Sequence, residues 1–415
     1  MCIRDRSSTR PGVLTLVDAA SPRTARWQIE EEVRDHTLVD LSTDTAVLWS
    51  PAAGHIIVRS VADGAALFAP VSAETLLSEL GAGGRVAAAR RLAAGASIEQ
   101  IEGDFGRAIA ETRQAQAQLR ADRTNPPHLA AGEAAVAFVD RVGRAAAFDR
   151  YSGTALWHLE LPIESVQWTR VVDGRLLVGG LRGAGTGAEA GVVLVLDITT
   201  GQSHIPALED PAPALWAGLD ARANVLVLRA DELSAHDPRT GAVRWRSAFT
   251  PLTGQPTVRV AGDSWAACDG TRLVAVDLAS GTVTGQTPGL PDDTRLLAAG
   301  DRLLLDHGIA GMTALNPDAA TAWHSAIHHE RRGSIAATAL DGGVLVATST
   351  GDRRNPTVQL FRVQGATGRL TGRQLIDLPT GLLRPGPLTV VDGTLLFSDR
   401  KQTLFLPGAG AAGGD

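Results

Sequence analysis

Short apolar runs recur along most of the chain, and polar turn residues separate them. The run at residues 273–276 alternates Leu, Val, Ala and Val, and such a pattern predicts a strand. A short polar residue, usually Asp, ends the run, and a Gly follows four positions later. Together they predict a tight hairpin turn, because Asp bonds nearby backbone N–H groups and Gly adopts a positive φ. A Trp four residues after the Gly gives the next strand a large side chain to bury.

This turn unit repeats with an almost constant spacing. The glycines at positions 201, 241 and 281 are about 40 residues apart, which is typical of repeat architectures. One unit departs from the pattern, since Asn316 replaces the Asp and no Gly follows, although Trp323 keeps its place. The structural repeat positions are Asp149, Gly153, Trp157, Asp197, Gly201, Asp237, Gly241, Trp245, Asp277, Gly281, Asn316, Trp323 and Gly368.

A second hairpin precedes each unit, with its own turn at positions such as Asp173-Gly174 and Asp341-Gly342. Two hairpins per period predict four-stranded antiparallel sheets, and radial repetition of such sheets gives a β-propeller. We therefore predict an all-β fold with eight blades, with seven as the alternative. The eight positions expected to carry the large side chain are Trp27, Phe68, Trp157, His204, Trp245, Gly285, Trp323 and Gly372.

The strand–Asp-x-x-x-Gly-x-x-x-Trp pattern resembles the repeat of pyrroloquinoline-quinone-type propellers. That group contains quinoprotein alcohol dehydrogenases and also cofactor-free relatives, such as the propeller lipoprotein of the outer-membrane β-barrel assembly machinery. The resemblance covers roughly residues 130–400 well and 12–70 weakly. For a dehydrogenase it would imply a quinone with calcium, adjacent cysteines and a catalytic Asp. Cys268 has no neighbouring Cys, so we expect no quinone cofactor.

The β pattern is interrupted after the first blades. Residues 71–127 are rich in Ala, Glu, Gln and Arg, and three helices are predicted there, the first starting at Ser72. Removing this segment restores the repeat period between Phe68 and Trp157, so we interpret it as a helical insertion between two blades. It is either a strut on the propeller, a partner-docking element or a small recognition domain. The predicted divisions are 1–11 artefactual or disordered, 12–70 first blades, 71–127 insertion, 128–407 remaining blades and ring closure, and 408–415 disordered tail.

Composition excludes some functions and leaves others open. The net charge of −6 gives no case for nucleic-acid binding, and no apolar run is long enough for a membrane-spanning helix. The two cysteines, Cys2 and Cys268, predict no disulfide framework. The first six residues look like translated adapter sequence, so we expect the native start to be missing. An extracytoplasmic location is expected from the resemblance.

Three groups of residues suggest chemistry, and the repeat offers a simpler explanation for each. His324, His328, His329 and Glu330 are the densest set of potential metal ligands, but His324 follows Trp323 as His158 follows Trp157. Asp306-His307 lacks a suitably spaced nucleophile. The Gly-rich stretch 179–191 lacks the Lys-Ser/Thr of a phosphate-binding loop and is interpreted as a hairpin loop. We assign no catalytic, cofactor-binding or metal residue.

The pattern favours a non-catalytic binding or scaffold module of the cell envelope. We expect a protein partner, no nucleic acid, no cofactor and a monomer. The alternatives are a quinoprotein-like dehydrogenase and the ligand-sensing ectodomain of a membrane-anchored protein.

Overall fold

The computed structural model is all-β, and its strands follow one another as antiparallel hairpins. It describes residues 12–17, 25–31, 37–41, 44–50, 54–72, 128–183, 189–203, 205–291, 294–316, 319–327, 335–340, 342–349, 357–377, 388–391, 394–398 and 403–406. Within these ranges the one helical element is a 3₁₀ turn at Gly308–Ala310, and no helix is long and apolar enough to cross a bilayer. For these residues the prediction of an all-β fold is confirmed.

A two-stranded hairpin opens the described chain, and four-stranded sheets follow it in chain order. The hairpin comprises β1 (Gly12–Val17) and β2 (Ala25–Glu31). Sheet 1 comprises β3 (Thr37–Leu41), β4 (Thr45–Ser50), β5 (His55–Ser60) and β6 (Val71–Ser72). Sheet 2 comprises β7 (His128–Ala131), β8 (Ala135–Val139), β9 (Arg144–Asp149) and β10 (Ala155–Glu160). Sheet 3 comprises β11 (Ser165–Val172), β12 (Arg175–Arg182), β13 (Ala190–Asp197) and β14 (Leu208–Asp210).

The same plan continues to the end of the described chain. Sheet 4 comprises β15 (Trp216–Leu219), β16 (Val225–Leu228), β17 (Glu232–His236) and β18 (Val243–Ala248). Sheet 5 comprises β19 (Thr257–Ala261), β20 (Ser264–Cys268), β21 (Arg272–Asp277) and β22 (Val283–Pro288). Sheet 6 comprises β23 (Arg295–Ala299), β24 (Arg302–Asp306), β25 (Met312–Leu315) and β26 (Thr321–Ser325). Sheet 7 comprises β27 (Ile335–Leu340), β28 (Gly343–Ser349), β29 (Thr357–Gln364) and β30 (Leu370–Asp377), and sheet 8 has three strands, β31 (Leu388–Val391), β32 (Thr394–Ser398) and β33 (Thr403–Leu406).

Successive sheets pack face to face, with their first strands side by side. Strand β7 lies against β3 and β11, β11 also against β15, and β23 against β19 and β27. The apolar side chains bury themselves between neighbouring sheets: one cluster joins sheets 2 and 3 through Ala147, Trp157, Leu176 and Leu194, and five others repeat this plan. Each sheet therefore depends on its neighbours, as expected of a repeat fold in which no unit can bury its own apolar face.

The last features of the fold are the two ends of the described chain and the start of the predicted insertion. Strand β1 lies beside β33, the last strand of sheet 8, with Cα atoms within 8 Å. Ser72, where the first helix was expected to begin, instead ends strand β6, whose residue Val71 pairs with Ile56. The rest of the expected helical insertion, residues 73–127, lies outside the described residues, as do segments 1–11 and 408–415, and those expectations stay predictions.

Candidate functional site

The repeated Asp residues cap the turns between the third and fourth strands. In sheet 2, Asp149 Oδ1 accepts hydrogen bonds from the backbone N–H groups of Tyr151 (3.0 Å) and Ser152 (2.8 Å). The N–H of Gly153 donates to the Asp149 carbonyl at 3.0 Å, with φ of +71° at the Gly. The same arrangement occurs at Asp197, Asp237 and Asp277. The carboxylate therefore satisfies amides that the turn leaves without a ladder partner.

These hydrogen bonds favour the ionised carboxylate. The Thr199 hydroxyl, followed by backbone amides of the turn, lowers the pKa of Asp197 from 3.8 to about 2. The Arg244 guanidinium, which donates to Asp237 at 2.7 Å, lowers the pKa of that carboxyl, and the Ser280 hydroxyl lowers that of Asp277. Each of these carboxylates accepts hydrogen bonds within its own hairpin. Its lowered pKa is therefore explained by the turn and does not indicate a catalytic group.

The repeated Trp packs on the Gly of the following sheet. A Cβ on Gly201 would lie 2.8 Å from the Trp157 ring, and one on Gly368 would lie 2.6 Å from the Trp323 ring. Each indole N–H also donates to a backbone carbonyl next to that turn, Trp157 to Ile198 at 2.8 Å and Trp323 to Gly365 at 2.7 Å. Gly is required at these positions for two reasons, its positive φ and the approach of the ring. The repeat motif is thus a contact between blades.

The units of sheets 3, 5 and 7 lack the aromatic ring, and after sheet 5 the next turn is changed as well. Gly285 occupies the Trp place in sheet 5, and the turn that follows in sheet 6 has no Gly: Ala319 takes φ of +61° there. That turn is one residue shorter, because the Ala319 N–H donates to the Asn316 carbonyl. In sheet 3, Ile205 lies four residues after Gly201 and is buried, so it holds the position for which the sequence suggested His204. His204 is outside the described residues.

His307 belongs to a hydrogen-bonded chain of threonines and histidines. Its Nδ1 lies 3.2 Å from Thr294 Oγ1, and its Nε2 lies 3.1 Å from Thr313 Oγ1, which is 3.3 Å from His324 Nδ1. Threonine hydroxyls therefore lie at both ring nitrogens of His307, where a catalytic Asp–His pair would have the Asp at one of them, and Asp306 accepts a hydrogen bond from the Gly308 N–H at 2.9 Å. Burial lowers the pKa of His307, and the charge of Asp306 partly opposes this.

The other sequence candidates for chemistry have structural explanations or lie outside the described residues. Gly179 and Gly180 lie within strand β12, where Gly179 makes room for the Trp168 ring, so the Gly-rich stretch is only in part a loop. His328, His329 and Glu330 are not among the described residues. Within those residues no three His, Cys, Asp or Glu side chains are grouped to hold a metal ion.

The residues expected of a quinone site do not fit that cofactor. Cys268 is buried in sheet 5, in the cluster that joins it to sheet 6, and its thiol approaches the Thr294 carbonyl at 3.8 Å. Burial raises the pKa of this thiol. A thiol enclosed by alkyl side chains cannot present itself to a planar cofactor, and we derive no redox step from it.

Two loops between second and third strands carry exposed apolar side chains. Val142 is 54% exposed at the tip of the β8–β9 loop, and Ile309 is 64% exposed in the 3₁₀ turn between β24 and β25. The Val142 tip is held by Asp140, whose Oδ1 accepts the N–H groups of Val142 (3.1 Å) and Arg144 (2.8 Å). In a propeller all such loops lie at one end of the ring; we call this the loop end, defined by residues 140–143 and 307–311.

Comparison with protein families identifies the repeat. The model of a family described as outer membrane protein assembly factor BamB matches residues 229–405, which covers sheets 5 to 7 and part of sheets 4 and 8. Over these residues the chain is similar to that family. The resemblance to pyrroloquinoline-quinone-type repeats, inferred from the Asp, Gly and Trp spacing, is therefore confirmed. No curated protein sequence matches the chain.

One designed protein shares the fold, and two natural proteins are also similar, all at low sequence identity. The computationally designed Ika8 protein is 12% identical, with a TM-score of 0.57 over 90% of this chain and 96% of that one. BamB from Moraxella catarrhalis is 17% identical, with a TM-score of 0.46 over 66% of this chain and 82% of that one. The quinohemoprotein alcohol dehydrogenase ADHIIG from Pseudomonas putida HK5 is 10% identical, with a TM-score of 0.49 over 94% and 71%.

Proposed function

We propose that the chain is a non-catalytic propeller that binds a protein partner in the assembly of outer-membrane proteins. The observation that carries this proposal is the pair of exposed apolar tips, Val142 and Ile309, held on ordered loops at the loop end. Apolar side chains that are exposed on rigid loops favour a protein interface, since burying them against a partner is favourable at little entropic cost. The family match supports the outer-membrane context and an extracytoplasmic location.

We further infer that eight sheets close into a ring. The proximity of β1 to β33 supports this, because β1 would supply the fourth strand that sheet 8 lacks. Closure would protect two strand edges that otherwise invite pairing with other chains. It would also fix the loop end as a continuous surface on which several loops contact one partner.

Site-specific photo-crosslinking tests the proposed interface. A photoreactive residue is placed at Val142, at Ile309 and, as a control, at Leu375, which is 56% exposed on the outer strand β30. The chain is produced in the envelope of a Gram-negative host. We expect Val142 and Ile309 to cross-link the same outer-membrane assembly component and Leu375 not to do so. Equal products from all three positions, or dye-linked alcohol oxidation after addition of quinone and calcium, would contradict the proposal.

A further inference from the structure

The inner strands are basic, although the whole chain is acidic. The first strands of neighbouring sheets lie side by side and would line the axis of the closed ring inferred above. Together these strands contain Arg170, Arg259 and Arg295, with Asp40 as their one acidic residue. The chain as a whole has a net charge of −6. Positive charge is thus concentrated where a propeller has its central channel. A concave site of one sign concentrates ions of the other sign.

Arg170 and Arg259 lie on alternate first strands, with the Trp216 strand between them. Arg170 on β11 is solvent-exposed, and its guanidinium carbon lies 5.3 Å from the centroid of the Trp216 ring on β15. Arg259 on β19 is half-buried and donates to the Val258 carbonyl at 2.8 Å. This cation–π contact holds the Arg170 guanidinium beside the indole, and a guanidinium so held can still donate its N–H groups to an anion.

Neither guanidinium has a carboxylate partner among the described residues. The ion pairs found there use other arginines, such as Arg144 with Asp140 and Arg246 with Glu232. The surrounding protein lowers the pKa of both arginines, and the charge of Arg259 lowers that of Arg170 further. Both remain protonated at neutral pH. Two like charges close enough to interact repel each other, and an anion between them would relieve that repulsion.

We propose that Arg170, Arg259 and Trp216 form an anion site in the central channel that takes carboxylates of an acidic polypeptide segment. The planar guanidinium edges match the two oxygens of a carboxylate, and the Trp216 ring holds the Arg170 guanidinium in place. The choice of a polypeptide rests on the proposed protein-binding function. The site lies on the inner strands and is separate from the loop end, so the two are tested independently.

Binding of a labelled hexaglutamate peptide to the full chain, followed by fluorescence anisotropy, tests this site. We expect binding that weakens as NaCl rises from 50 to 500 mM, because exposed charges are screened. Arg170→Gln and Arg259→Gln should each raise the Kd about tenfold, the loss of one charge-assisted hydrogen bond. The matched control is Arg373→Gln: Arg373 also lies over an aromatic ring, Phe361 at 5.7 Å, but on the outer strand β30, and it should leave the Kd unchanged.

Three results would overturn the inference. The first is no hexaglutamate binding at 50 mM NaCl, and the second is an equal loss in the Arg170 and Arg373 variants. The third is displacement of the peptide by equimolar inorganic phosphate, which would assign the arginines to a small anion. If photo-crosslinks from Val142 and Ile309 persist in the Arg170→Gln chain, only the channel site has failed. Circular dichroism of each variant shows whether the fold is retained.

Discussion

The contact between Trp323 and Gly368 allows a direct test of how neighbouring blades are held together. In Gly368→Ala the new methyl would lie 2.6 Å from the Trp323 ring, at a backbone φ of +69°. The matched control is Gly241→Ala, where φ is +72° but the nearest atom, Leu208 Cδ2, is 3.3 Å from the methyl. Both changes carry the same backbone cost, and only the first overlaps an indole.

The magnitudes separate the two effects. Placing Ala in the left-handed region costs about 1–2 kcal/mol, so we expect Gly241→Ala to lose about that much. Overpacking against a buried ring adds about 1–3 kcal/mol, which brings Gly368→Ala to about 2–5 kcal/mol. Trp323 is buried and its N–H is bonded to Gly365, so the ring cannot turn aside without losing that bond.

A double-mutant cycle identifies the ring as the cause. In a Trp323→Ala background the space beside position 368 is open, so Gly368→Ala should cost only the backbone part, about 1–2 kcal/mol. Urea unfolding, followed by far-UV circular dichroism, measures the free energy of unfolding of the four chains in the cycle and of the Gly241→Ala control. The reasoning is refuted if Gly368→Ala and Gly241→Ala lose the same stability, or if the cost at position 368 persists after the Trp is removed.

Three further predictions follow from single residues. Folding lowers the pKa of Asp197 to about 2, so the stabilisation by its carboxylate is complete above pH 3.8 and is lost as the pH falls toward 2. Asp197→Asn should therefore lower the urea midpoint more at pH 6 than at pH 2. An equal decrease at the two pH values would contradict this. Arg150→Leu removes hydrogen bonds to Thr45 and Gly132 and should cost about 1–3 kcal/mol in the same assay, whereas an unchanged midpoint would count against it. Cys268 is buried, with a raised thiol pKa, so iodoacetamide should label it only in denaturant, as peptide mass spectrometry would show; labelling of the native chain would disagree.

The turn residues could be predicted because their chemistry is local. Asp149 bonds amides two and three residues away, so its role depends only on the adjacent sequence. The end strands, including β31 at Leu388–Val391, could be predicted for the same reason, since turn residues bound their apolar runs. What one sequence could not reveal is that, where a blade carries the Trp, its ring meets the Gly in the turn of the next blade, about 40 residues later.

The repeat units that depart from the pattern could be explained only from this contact between neighbouring blades. The Asn316 unit departs from the pattern because its turn, where Ala319 replaces the Gly, faces the place of Gly285, which has no ring to accommodate. Ile205 was missed because counting aromatic residues drew attention to His204. The pair Arg170 and Arg259 gave no signal at all, since each is a single charge in an ordinary strand and only the stacking of blades relates them.

The buried Arg150 is one of several side chains that connect sheets 1 and 2 directly. Its Nε donates to Thr45 Oγ1 at 2.6 Å, and the neighbouring Tyr151 hydroxyl donates to Asp44 at 3.1 Å. The rings of Phe68 and Phe148 meet edge to face across the same interface. Sheets 1 and 2 are therefore held together by side-chain contacts as well as by the chain that connects them. A break in the chain between Ser72 and His128 would remove none of the residues that make these contacts, so we expect the two sheets to stay together after it.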